Sequence, residues 1–88
     1  MKVLKFGAIW CKECLVMKPL WEEIEKESPD LETEYFDADE NPELLKKYSI
    51  EDIPVFIFLD KEGNEILRLE GAVPKSRIIE TINENKNK

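Results

Sequence analysis

The sequence contains no histidine. That absence removes imidazole metal ligands and every Ser–His or Cys–His nucleophile pair, and with them most hydrolase schemes. Long apolar runs are missing as well. No stretch approaches the roughly 18 consecutive apolar residues that cross a bilayer. The opening run Met1-Lys2-Val3-Leu4-Lys5-Phe6-Gly7 is too short, and too often broken by lysine, for the apolar segment of a secretory signal. A cytoplasmic location with no membrane partner is the expectation. Basic charge is scarce: 13 Lys and Arg stand against 20 Asp and Glu, a net charge of -7. With no local basic cluster, a phosphate backbone is repelled, so nucleic acid is not an expected partner. Asp37-Ala38-Asp39-Glu40-Asn41 has the look of a calcium loop but fails as one. Pro42 stands where the loop needs glycine, and Tyr48 where it needs a bidentate acid.

What is present describes one folded unit. Apolar residues make up 42% and charged residues 38% of 88 residues, a balance that fits a single soluble domain over 1–88 rather than a disordered chain. Val3, Leu4 and Phe6 up to Gly7 read as a strand. From Cys11 to about Glu27, Cys14, Met17, Leu20, Trp21 and Ile24 recur at helical spacing, with Pro19 expected to bend the helix without ending it. Leu31, Thr33 and Tyr35 alternate with Glu32 and Glu34 as a second strand. Asn41 is the expected cap of a short helix, with Pro42 at its first position and Leu44, Leu45 and Tyr48 on its apolar side. Val55-Phe56-Ile57-Phe58-Leu59 is uniformly apolar and reads as a central strand. The turn at Asp60–Asn64 then leads into an antiparallel strand over Glu65–Glu70. Pro74 opens a last helix on Ile78, Ile79 and Ile82, and the polar tail from Asn83 to Lys88 is expected to fray. The order β-α-β-α-β-β-α predicts an α/β fold, a four-stranded mixed sheet with helices on both faces, its first two strands parallel.

The chemistry concentrates at Trp10-Cys11-Lys12-Glu13-Cys14, where the first strand passes into the long helix. Residues three apart on a helix share a face, close enough for a disulfide after small adjustment. Cys11 falls at the helix start, where free N–H groups and the dipole favour a thiolate; Cys14, one turn on, is expected to be the more buried and to keep its proton longer. One cysteine attacks and the other resolves. Two other readings stay open on the residues alone: half of a metal site completed by a dimer, and two inert buried cysteines.

Around these residues the chain resembles the thioredoxin family over nearly its whole length. The segment Lys5 to Cys14, Pro19, the stretch Asp37 to Leu44, Tyr48-Ser49-Ile50, Ile53-Pro54, Gly63, Gly71 and Lys75 carry the likeness. It implies a thioredoxin-like fold and a cis Pro54 beside the cysteines. It also implies a substrate groove framed by Trp10, Ile53, Pro54, Gly71, Ala72 and Val73. The implied activity is reduction of disulfides in client proteins through Cys11 as nucleophile and Cys14 as resolving thiol. The implied cofactor state is a redox-active disulfide with no bound organic group or metal, recharged by a separate reductase, in a monomer. The alternatives are a glutathione-linked glutaredoxin-like reductase and a non-catalytic metal-binding or docking module.

Three departures from the family pattern stand out. Lys12-Glu13 replaces the usual Gly-Pro between the cysteines; Lys12 is expected to favour a thiolate and Glu13 to oppose it. Lys5 stands where most members bury an aspartate, with Tyr35 at that acid's partner position. Lys5 therefore either stabilises a thiolate or relays a proton, or else packs its stem and lets its ammonium reach water. The family's N-terminal strand and helix have no counterpart ahead of Lys2, so one sheet edge is expected to be less protected.

Overall fold

The computed structural model describes residues 1–88. Seven elements follow in the order expected: β1 (Lys2–Gly7), α1 (Lys12–Glu27), β2 (Glu32–Asp37), α2 (Pro42–Lys47), β3 (Val55–Leu59), β4 (Glu65–Glu70) and α3 (Lys75–Asn85). The sheet order is β2-β1-β3-β4, with β1 parallel to β2 and antiparallel to β3, and β3 antiparallel to β4. The four-stranded mixed sheet is therefore as the element order implied.

Strand alternation divides the core in two. Val3, Phe56, Phe58 and Leu69 face the helices α1 and α3, where they meet Met17, Trp21, Ile24 and Ile78. Leu4, Phe6, Val55, Ile57 and Leu59 face the other way, under Leu44, Leu45 and Tyr48 of α2 and its C-terminal cap. Every residue of β3 is buried, which is why that strand shows no polar alternation. Trp21 packs against Phe56 and Phe58 at ring-centroid distances of 5.2 and 6.4 Å. At the edge, β2 exposes Glu32, Glu34 and Tyr35, and charged side chains there discourage pairing with another strand. No helix is long and apolar enough to cross a membrane.

Pro19 lies inside α1, which runs unbroken from Lys12 to Glu27. Two expectations need correction. The polar tail does not fray from Asn83: α3 continues to Asn85, which is 4% exposed. Its Nδ2 donates to Thr81 O at 2.8 Å, and Thr81 Oγ1 in turn donates to Arg77 O at 2.8 Å. Polar side chains that satisfy themselves on the preceding turn carry no apolar signal, so composition misreads them as solvated. Asn41 does hold the capping position of α2, yet its side chain makes no cap bond. It donates instead to Asp37 O at 2.8 Å, tying the helix start back to the end of β2.

Asn85→Ala is expected to cost about 1 kcal/mol, the net value of one well-made hydrogen bond. A shift in the urea midpoint with unchanged slope measures it.

Candidate functional site

The register of the sheet assembles the site. Phe6 pairs with Val55, so the residues after β1 and those before β3 arrive at the same end. Val55 also pairs with Glu70, which brings the residues after β4 there too. Cys11 follows β1, Ile53-Pro54 precedes β3 and Gly71–Val73 follows β4, so the three segments converge.

Cys11 is the N-cap of α1, with φ -90° and ψ 114°. Its Sγ accepts the N–H of Cys14 at 3.2 Å, taking the place that a serine or aspartate oxygen fills at other helix starts. Sulfur at that position gains from the unpaired N–H groups of the first turn, and more so as a thiolate. Cys11 Sγ also lies 3.9 Å from Ile53 O. Both cysteines are free thiols.

Burial of the pair runs against expectation. Cys11 is 8% exposed and Cys14 is the intermediate one. Cys11 sits at the bend between β1 and α1, under Ile53, while Cys14 stands on the open side of the first turn. The thiol of Cys14 nevertheless turns inward. A Cβ placed on Gly7 would come within 3.2 Å of Cys14 Sγ, so glycine lets the strand backbone press against that sulfur. Burial above all pushes the Cys14 thiol up to about 12; its hydrogen bond with Cys11 and the charges of Cys11 and Glu13 add to the rise, against a backbone hydrogen bond from Ala8. Proton retention at Cys14 thus follows from the thiol's surroundings, not from the exposure of the whole residue.

The Ile53–Pro54 peptide is cis. Pro54 O accepts the N–H of Gly71 at 2.9 Å, and Ala72 N–H donates to Glu13 Oε2 at 3.0 Å. Gly71 has φ +76°, a left-handed conformation that favours glycine. Ala72 is exposed and Val73 half-buried. Trp10 is 65% exposed, its Nε1 donating to Asp39 Oδ2 at 2.8 Å. Ile53 thus lies beside Cys11, Gly71 is tied to Pro54 and Ala72 to Glu13, while Val73 packs against the core on the α1 and α3 side; Lys12 is exposed on the first turn of α1.

Lys5 does not reach water as a free ammonium. It pairs with Glu25 of α1, whose carboxylate also accepts from Thr33 Oγ1 at 3.0 Å, and its Nζ lies 5.6 Å from the centre of the Trp21 ring. Lys5, Gly7, Cys14, Trp21 and Tyr35 line a common cavity of about 400 Å³, with Ile9 and Leu15 among its exposed apolar residues. No group of three or more His, Cys, Asp or Glu side chains is placed to hold a metal ion.

Gly7, Asp39 and Glu25 are functional-site residues that sequence reasoning missed. Gly7 read only as the end of a strand, and Asp39 only as part of a failed calcium loop. For Glu25 a signal existed: it lies four residues beyond Trp21, one helical turn on, where it reaches the sheet.

The family model for thioredoxin matches residues 1–84. The chain belongs to the thioredoxin family. It is 44% identical over 70 residues to thioredoxin H5 of Oryza sativa subsp. japonica, covering 80% of this chain and 51% of that protein. Thioredoxin of Rickettsia bellii is 38% identical over 87 residues, covering 94% and 79%. The crystal structure of Fasciola hepatica thioredoxin superposes with a TM-score of 0.87 at 37% identity, over 96% of this chain and 79% of that one. The chain spans about half the length of the rice protein and of the chloroplastic thioredoxin Y2 of Arabidopsis thaliana.

In this thioredoxin-family chain the raised Cys14 thiol links folding to pH. A neutral thiol held above its ordinary value of 9.0 contributes stability that is present below that pH. The contribution falls away as pH rises from about 9 toward 12. Urea unfolding of the reduced protein and of Cys14→Ser across that window checks this: the wild type is expected to lose stability faster, and parallel curves would contradict it.

Proposed function

We propose that the protein is a thiol–disulfide oxidoreductase that reduces disulfides in client proteins. The observation that carries this reading is the Cys11 sulfur held as an N-cap acceptor, with a protonated Cys14 one turn behind it. The Cys11 thiolate attacks one sulfur of a client disulfide. A Cys11–client disulfide forms as the client's S–S bond breaks, and the departing client thiolate takes up a proton. Cys14 then loses its proton and attacks Cys11 Sγ. The Cys11–Cys14 disulfide forms, the second client thiolate leaves, and two electrons have passed from the dithiol to the client.

Each neighbouring group has a part. The N–H of Cys14 stabilises the Cys11 thiolate, and the buried setting keeps Cys14 protonated until the mixed disulfide draws it into reaction. Exposed Trp10 offers an apolar rim, and Ile53, Pro54 and Gly71–Val73 form the platform on which a client segment lies. Lys5, paired with Glu25, contributes a cation on the cavity that Cys14 lines and favours a thiolate there during resolution. The protein works as a monomer in the cytoplasm, with no bound cofactor, and a separate reductase restores the dithiol. One structural neighbour, 26% identical, comes from a study titled for thiol resolution in a yeast mitochondrial 1-Cys peroxiredoxin through glutathione and thioredoxin systems, which supports protein thiols as the client class.

Reduction of a disulfide-containing protein with dithiothreitol as donor tests the assignment. Cys11→Ser is expected to abolish turnover, and Cys14→Ser to accumulate the client mixed disulfide; turnover surviving in Cys11→Ser would sink it. In Lys5→Ala the Cys14 pKa is expected to rise further, and unchanged thiol pKa values would remove the role given to Lys5. The reduction potential, read from Trp10 and Trp21 fluorescence, is expected near or below the roughly -270 mV typical of thioredoxin, whereas about -180 mV would make the protein a disulfide donor.

A further inference from the structure

Three segments meet around Cys11, joined in turn by Cys11 Sγ to Ile53 O, Gly71 N–H to Pro54 O, and Ala72 N–H to Glu13 Oε2. The third link differs from the other two. It is made by a charged, exposed side chain rather than by a backbone carbonyl, and it crosses from the residue between the cysteines to the loop after β4. Glu13 forms no ion pair with any cation of the chain. The carboxylate lies directly against Gly71, where a Cβ would stand 3.5 Å from Glu13 Oε2, in ordinary contact.

We propose that Glu13 is the specificity-determining residue of this docking face, closing the loop over the cysteines in the free protein and exchanging Ala72 for a cationic client side chain on binding. The inference rests on the thiol–disulfide reading above. A client segment laid along Ile53-Pro54 and Gly71–Val73 offers backbone carbonyls, and one of these takes over the Ala72 N–H. The displaced carboxylate then needs a partner. A Lys or Arg beside the client's disulfide supplies it, whereas an acidic neighbour meets like charge. The favoured clients are therefore proteins whose reducible disulfide is flanked by basic residues.

The exchange also serves the second half of the reaction. Cys14 faces Cys11, the Ala8 backbone and, across the cavity, Tyr35 and Lys5; Glu13 is one of the charges that hold its proton on. Pairing that carboxylate with a client cation weakens its opposition at the step where Cys14 must ionise. Docking of the right client and resolution of the mixed disulfide are thereby coupled through one side chain.

The test uses the whole chain and three peptides, each with one disulfide and differing only in a Lys, Gln or Glu beside one half-cystine. With dithiothreitol as donor at low ionic strength, kcat/KM is expected to be about three- to fivefold higher for the Lys than for the Glu peptide, and the ratio to shrink in high salt. Glu13→Gln keeps an oxygen for Ala72 N–H but no charge, so the ratio is expected to fall to about one; Glu13→Lys is expected to invert it. Hydrogen exchange at the Ala72 amide separates the latch from the charge, rising in Glu13→Ala and returning in Glu13→Gln. A ratio near one in the wild type, or one that survives in Glu13→Gln, overturns the inference while leaving the redox reading intact. Failure to reduce any of the three peptides, the Gln one included, removes both.

Discussion

The hydrogen bond from the Cys14 N–H to the Cys11 sulfur organises the site. A helix start has backbone donors to satisfy, and proteins usually meet them with an oxygen. Here a sulfur meets one of them, so the group that caps the helix is also the group proposed to react. That double use constrains what surrounds it. The chain must leave β1, turn within Ala8–Trp10 and enter α1 with Cys11 extended, a path closed by Cys11 N–H donating to Ala8 O at 3.2 Å. Gly7 lets β1 come close, because a Cβ there would crowd Cys14 Sγ at 3.2 Å. The place of β3 between β1 and β4 then matters, because its pairing with both brings Ile53 and the loop after β4 to the end of β1.

Charge at the site is arranged in two tiers. Inside, Lys5 and Glu25 are paired beside Trp21, with Thr33 holding the same carboxylate. Partly buried charges persist where each has a partner and remaining hydrogen-bonding capacity is used. Outside, Glu13 and Asp39 bond to an N–H of the docking surface rather than to a cation: the Ala72 amide in one case, the Trp10 indole in the other. These acids hold an indole and a backbone amide beside the cysteines, and the Glu13 charge also disfavours ionisation of Cys14.

Much of this was legible in the residues. The apolar spacing of Met17, Trp21 and Ile24 defined one face of α1, and the unbroken run Val55–Leu59 marked the central strand. Placement of Cys11 and Cys14 at a strand-to-helix junction pointed to their chemistry before any contact was known. What stayed hidden depends on distances between segments far apart in the chain. Glu25 meeting Lys5, Asp39 meeting Trp10 and Glu13 meeting Ala72 span 20, 29 and 59 positions, and a surface acid looks the same in sequence whether or not it finds such a partner. Asn85 was misread for a related reason: burial at the end of α3 is decided by packing, while its own composition is polar.

The two thiols are chemically identical and acquire different surroundings from three residues of backbone. Cys11, at the cap, faces donors; Cys14, one turn in, has already given its own N–H to Cys11 and rests its sulfur against Gly7. Exposure alone does not capture that difference, because Cys11 is the less accessible residue while the Cys14 thiol is the one held protonated by burial. What sets the order is where each sulfur finds hydrogen bonds and charge, since the free energy of a thiolate depends on its immediate neighbours more than on the exposure of the residue that bears it. The helix start supplies that difference with backbone donors alone, in a chain that has no histidine.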